Sequence, residues 1–446
     1  MSGTNANAES PAILLAAPGS GHGKTSITAG LARFHARAGR IVRVFKTGPD
    51  FLDPMILERA SGLPVYQLDL WMTGEDECRA LLHEAATQAD IILVEGVMGL
   101  FDGDPSSADL AQLFDLPVAA VIDASAMAGT FGALAHGLFS YREGVPVAGV
   151  LANRVAGDYH ADLLRESVPE SCPWLGAVLR NDEVSLPSRH LGLVQAQEVD
   201  DLDARLDALA DALALTRLVE PPAKVSFPAQ DAVLTSPSAE QSLAGIRIGI
   251  ARDPAFAFIY PANVKLLEQL GATLVWFSPL EDATLPDVDS VFLPGGYPEL
   301  YPDALSGNRS MIESVRNYVE SGGRVYAECG GMLYLLDSLT DKAGKHAAMA
   351  GVLPGSATLQ DRLVSLGMQS ARFGDNEWRG HTFHHSSLQT DLEPVARGVR
   401  TRKGGYPGEA IFHHGNVIAS YIHAYFASDP ALTARMFNPE REPFES

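Results

Sequence analysis

Cysteine is scarce: Cys78, Cys172 and Cys329 are the three in 446 residues, far apart and with no C-x-x-C pair. That excludes a disulfide framework and a cysteine-rich zinc site, and makes a reducing, cytoplasmic setting the expectation. Long apolar runs are missing too. Asp90, Glu95 and Asp123 interrupt the stretches 91–94 and 118–122, far short of the ~20 residues of a membrane span. Positive charge is also short, with 33 Lys and Arg against 55 Asp and Glu and a formal net charge of −22. Neither nucleic acid nor an anionic membrane surface is therefore expected as the main partner. The first ten residues, MSGTNANAES, lack the basic start and apolar stretch of a signal peptide and read as a disordered tip.

What is present is a globular composition, 46% hydrophobic and 20% charged, in a chain of about three times the ~150-residue guide for one domain. From Ile13 to about Leu215, short apolar runs alternate with helix-period segments, the pattern of parallel β-α-β units. Strands are expected at 13–17, 41–46, 91–95, 118–123, 147–153 and 174–179. A closing helix then aligns Val199, Leu202, Leu206, Leu209 and Leu213 on one face. Residues 220–243 hold four prolines without periodicity and read as a linker. Beyond them the alternation restarts, with strands at 246–251, 273–277, 290–293 and 324–328. The expected fold class is α/β, two doubly wound domains at 11–219 and 244–437.

The first strand runs into Pro18-Gly19-Ser20-Gly21-His22-Gly23-Lys24-Thr25 and then a helical stretch. Backbone N–H groups of Gly19, Ser20, Gly21, His22 and Gly23 can wrap phosphate oxygens. Lys24 can reach the β and γ phosphates, and the Thr25 hydroxyl can sit on Mg²⁺. Pro18 replaces the first glycine of the usual G-x-x-x-x-G-K-T. No guanine-reading N-K-x-D occurs, so ATP is the expected nucleotide. Asp50, Asp53 and Glu95 follow the ends of the second and third strands, where open α/β sheets bind ligands, and with Thr25 are the metal candidates. Asp102 lies in the loop after Glu95. Asn153, ending a strand, can read the adenine edge or close an Asx turn.

In the second half, Tyr326-Ala327-Glu328-Cys329-Gly330-Gly331 follows a strand and opens a helix, the layout of a nucleophile elbow with Cys in place of Ser. The helix N-terminus is expected to lower the thiol pKa. The Gly296 amide, in Pro294-Gly295-Gly296-Tyr297-Pro298-Glu299, can join that of Gly330 in an oxyanion hole. His423 ends a late strand and supplies a general base. Cys78 and Cys172 read as core thiols.

This combination of phosphate loop, PGGYPE, AECGGM and a late strand-end His resembles the cobyrinic/hydrogenobyrinic acid a,c-diamide synthase family, over nearly the whole chain from Ala16 to Ala427. The resemblance implies a dethiobiotin-synthetase-like ATP domain joined to a class I-type glutamine amidotransferase domain. It implies Mg·ATP-dependent amidation of the c and then the a acetate carboxylates of a corrinoid, through acyl phosphates, with ammonia from L-glutamine, in cobalamin biosynthesis. An interdomain cleft or channel for ammonia is expected. Class I amidotransferases place Glu two positions after the histidine. Here the run is His423-Ala424-Tyr425, so a Cys–His dyad is expected, with the group that orients His423 left open. Arg180-Asn181, Arg189, His190, Arg252, His384 and Asp102 are candidates for holding the polycarboxylate, since a chain this acidic needs local donors. The metal-free substrate, hydrogenobyrinic acid, is preferred over cobyrinic acid. Adenosylcobyric acid synthase chemistry, or a P-loop regulatory ATPase, are the competing readings; the latter usually carries an extra Lys where this chain has Gly19. A homodimer is the expected assembly.

Overall fold

Alternation of apolar strands with amphipathic helices produces the architecture seen in the computed structural model, which describes residues 7–181, 186, 188–189, 192–193, 195–230, 241–401 and 407–444. His190 lies outside them, as do residues 231–240, and the side chain of Arg189 is not described. The chain divides into two compact units, Met1–Ala232 and Val233–Ser446.

In the first unit the parallel strands run in the order Tyr66–Leu68, Val42–Thr47, Ile91–Glu95, Ala8–Ala16, Val118–Asp123, Val147–Val155 and Trp174–Leu179. The central strands Ile91–Glu95 and Val118–Asp123 are apolar up to their last residue, as expected where helices cover both sheet faces. The strand before the phosphate loop is central, so the loop opens at the carboxyl edge between two neighbouring strands. The helix Lys24–Arg37 packs on Leu202–Leu213, and Arg33 and Arg37 pair with Asp207 and Asp211 at 2.6 and 2.9 Å. Three features differ from the sequence expectation. Ala8, Glu9 and Ser10, read as part of a disordered tip, begin the strand Ala8–Ala16, with Ser10 buried. Tyr66–Leu68 adds an edge strand too short to register as a period. Lys224–Phe227, inside the proline-rich stretch, pairs antiparallel with the start of Ala8–Ala16; Val225 and Phe227 are buried there while Lys224 and Ser226 are exposed, the alternation of an edge strand.

In the second unit a sheet runs Thr273–Phe277, Arg247–Ala251, Ser290–Leu293, Arg324–Glu328, Val417–Ser420, Ala410–His414, Ala396–Arg397, parallel up to Val417–Ser420 and antiparallel beyond. The stretch from Leu336 to Gln389 is mostly antiparallel strand. Its long ribbon, Ser365–Phe373 against Asn376–His384, takes His423–Tyr425 along its edge with His381 opposite His423. Asp253 ties the front of this unit together. Its carboxylate accepts from the N–H groups of Ala255, Phe256 and Leu280 and from the Ser278 hydroxyl, at 2.8–3.2 Å. The loop so held lets the Phe258 N–H donate to the Gly295 carbonyl. Asp253→Ala leaves buried donors without an acceptor, and a stability loss of roughly 3 kcal/mol is expected from the lowered urea midpoint.

Candidate active site

Each unit gathers its functional side chains at the carboxyl edge of its parallel sheet. In the first, Lys24 is buried at the start of its helix, and its ammonium donates to the carbonyls of Gly19 (3.0 Å) and Met98 (2.5 Å). Burial, and then the nearby Lys46 charge, lower its pKa to about 8. The loop is braced from the neighbouring strands. His22 Nδ1 accepts from the Asp123 N–H at 2.9 Å, Asn153 Nδ2 donates to the His22 carbonyl at 3.0 Å, and Arg154 bridges the Gly21 carbonyl and the Asp123 carboxylate at 3.0 and 2.5 Å. Asn153, itself buried, thus holds the loop. It lines a cavity of about 370 Å³ with Gly23, Ser26, Val178, Arg180, Asn181 and others. Arg180 and Asn181 therefore line the same cavity as Gly23 of the phosphate loop.

The metal candidates converge on a residue the sequence reading left without a role. Lys46, wholly buried, donates to Asp53 and Glu95 at 2.6 Å each and lies 3.9 Å from Asp50. Thr25 Oγ1 donates to the same Glu95 oxygen at 2.9 Å. Burial works against the Lys46 charge, but Asp53 and Glu95 outweigh it and hold its pKa above the ordinary value. Burial pushes the Glu95 carboxyl up despite Lys46. Among the described residues no group of three or more His, Cys, Asp or Glu is arranged as a ready metal cage. The set still fits Mg²⁺, which is bound by one or two carboxylates together with phosphates and water. Three carboxylates face one ammonium, and Glu95 Oε2 is buried without a hydrogen-bond partner. Asp102 Oδ2 accepts from the Gly99 N–H at 2.9 Å, which fixes the loop that supplies the Met98 carbonyl.

In the second unit Cys329 occupies the turn between Arg324–Glu328 and the short helix Gly330–Leu335, at φ 43° and ψ −105°. Such a backbone costs about 1–3 kcal/mol for a non-glycine residue and marks a site the surroundings enforce. The Cys329 N–H donates to the Ser420 carbonyl at 2.7 Å. His423 follows the same neighbouring strand three residues later, so the candidate nucleophile and the candidate base leave adjacent strand ends. A Cβ on Gly295 would lie 2.1 Å from His423 Cε1, and one on Gly330 would lie 2.8 Å from the Gly296 nitrogen. The imidazole thus rests on a bare backbone, and the two amides expected in the oxyanion hole are neighbours.

The thiol departs from expectation. Burial, and then the Glu299 charge, raise the Cys329 pKa rather than lower it, against the hydrogen bond from the Gly330 backbone. Burial, and then His384, lower His423 to about 3. Burial thus disfavours both the thiolate and the imidazolium. Glu328 Oε2 lies 3.7 Å from His423 Nδ1. His384 is not presented to a ligand: its ring stacks on Tyr421 at 3.7 Å and engages the Ser386 carbonyl and Glu409 at 2.9 and 3.4 Å. Arg252 lies over the Trp276 ring, 5.1 Å from its centre. Glu328 lies inside the elbow motif, Lys46 ends the expected strand 41–46 and Arg154 follows Asn153, and those positions are the signal that could have found them.

Residues 13–194 match the CobQ/CobB/MinD/ParA nucleotide binding domain and residues 247–431 the CobB/CobQ-like glutamine amidotransferase domain. The chain is 59% identical to the hydrogenobyrinate a,c-diamide synthase of Stutzerimonas stutzeri (strain A1501), over 96% of this chain and 99% of that protein. It is 55% identical to the Pseudomonas aeruginosa protein of the same name, over 98% and 99%. It is 49% identical to the cobyrinate a,c-diamide synthase of Herminiimonas arsenicoxydans, over 96% and 97%.

Because free Lys24 has a pKa of about 8 and bound phosphates raise it, the nucleotide complex holds more protons than the free chain between those two values. Nucleotide binding near pH 8 is expected to take up protons and to weaken as pH rises toward about 10, with Lys24→Met abolishing the uptake. Calorimetry in buffers of different ionisation enthalpy measures it.

Proposed function

The chain belongs to the family of hydrogenobyrinate and cobyrinate a,c-diamide synthases, and on that footing we propose that it amidates the a and c acetate carboxylates of hydrogenobyrinate, with glutamine as nitrogen donor and ATP as co-substrate. The observation that carries this reading is the presence on one chain of a braced phosphate loop with buried acids and of a strained cysteine beside a buried histidine. Neither site completes the reaction alone. The substrate choice is supported by the names of the relatives at 59% and 55% identity.

A carboxylate is a poor electrophile, so the ATP γ-phosphoryl group is transferred to it and the acyl phosphate reacts with ammonia. Lys24 leaves its carbonyl partners for the phosphates, and the backbone of residues 19–23 cradles them. Glu95 and Asp53 or Asp50, with the Thr25 hydroxyl, would hold Mg²⁺, which would supply positive charge to the phosphates. Lys46 keeps the acids oriented from within. In the second unit Cys329 attacks the glutamine side-chain amide while His423 takes the thiol proton and passes it to the leaving nitrogen. The oxyanion is held by the Gly296 and Gly330 amides, and water cleaves the thioester.

Incubation with Mg·ATP, glutamine and each corrinoid, followed by mass measurement, is expected to show two amides on hydrogenobyrinate; no amide on either corrinoid refutes the proposal. In Cys329→Ala, glutamine-driven synthesis is expected to vanish while ammonia-driven synthesis persists. Retained glutamine-driven synthesis removes Cys329 from its role.

A further inference from the structure

Two positions after His423 stands Tyr425, whose ring packs on Tyr260 with centroids 5.9 Å apart, so that position offers no acid to the base. Another carboxylate lies close to the imidazole, just beyond hydrogen-bond distance. Glu328 is the last residue of its strand, 2% exposed, and its Oε1 accepts from the Ala424 N–H and the Tyr326 hydroxyl, each at 2.9 Å. These bonds fix the carboxyl group independently of the histidine and leave Oε2 aimed at His423 Nδ1, 3.7 Å away. On the other sides of the His423 ring lie His381, centroids 6.3 Å apart, Phe258 at 6.2 Å, and the bare backbone of Gly295. His381 is buried and cannot draw a proton to Nδ1 as an acid does.

We infer that Glu328 is the positioning residue of the glutaminase site, holding His423 with its hydrogen on Nδ1 so that Nε2 is free to take the Cys329 proton. A neutral imidazole has one N–H, and the acceptor it meets decides which nitrogen carries it. Burial disfavours charge on Glu328 or His423 separately; together, the carboxylate and the imidazolium formed during attack compensate each other. The residue before the nucleophile thereby does the work that a residue after the histidine does elsewhere. Placing both on adjacent strand ends couples the elbow to the base through the Ala424 N–H.

The inference rests on the glutaminase reading, and the test separates the two. Glu328→Gln keeps the shape, and its carbonyl keeps the bonds from Ala424 and Tyr326, so its NH₂ faces Nδ1 and selects the wrong tautomer. Glutamine hydrolysis by E328Q is expected to lose ~10²–10⁴-fold in kcat with KM changed by less than about threefold. Alkylation of Cys329 by iodoacetamide, followed on its peptide by mass, is expected to slow in E328Q. It should slow no further when E328Q is added to His423→Asn, because the effect runs through the histidine. Parent-like hydrolysis by E328Q, or equal slowing of alkylation in both backgrounds, overturns the inference. Should E328Q fail to accumulate, Tyr326→Phe carries the same comparison with a smaller loss, about tenfold in kcat. If the parent chain releases no ammonia from glutamine, the functional reading fails, and the alkylation comparison decides Glu328 by itself.

Discussion

A carboxylate buried at the end of a parallel strand must find a partner, and both sites of this chain are arranged around that requirement. Glu95 and Glu328 each end a strand and are 0% and 2% exposed. Glu95 meets an ammonium, Lys46, and a hydroxyl, Thr25. Glu328 meets a backbone N–H, a phenol and an imidazole. The difference in partners is the difference in chemistry. An acid beside a cation and an oxygen ligand is suited to metal and phosphate; an acid beside an imidazole is suited to proton transfer.

The same requirement accounts for how an acidic protein handles anionic substrates. With a net charge of −22, the chain has no general attraction for ATP or a polycarboxylate. Lys24, at the start of the helix after the phosphate loop, and Lys46, near the end of its strand, are buried, where a single charge counts for more than it does on the surface. Arg154 serves the neighbouring side of the loop. Local positive sites in a negative protein are what the carboxyl edge provides.

Much of this was legible because it is written in short contiguous strings. The phosphate loop, the run to Asp50 and Asp53, the elbow at Cys329 and the position of His423 each sit where a strand ends, and strand ends follow from apolar runs. What was not legible depends on contacts between strands distant in sequence. That Lys46 sits among Asp53 and Glu95 is decided by pairing of Val42–Thr47 with Ile91–Glu95. That Glu328 lies close to His423 is decided by pairing of Arg324–Glu328 with Val417–Ser420. His384 looked available because its burial depends on Tyr421 and Glu409, 37 and 25 positions downstream. The surroundings of the thiol were hidden for a related reason: a helix start is visible in sequence, whereas the burial of Cys329 is not.

The backbone at Cys329 has a consequence for how such a chain changes over time. At φ 43°, glycine is the one residue that relieves the strain, so drift toward a more heat-resistant protein favours losing the thiol. Only the demand for nitrogen taken from glutamine opposes it. In a habitat rich in free ammonia that demand weakens, and the elbow is where the sequence is then expected to decay first, leaving the phosphate loop and its acids intact.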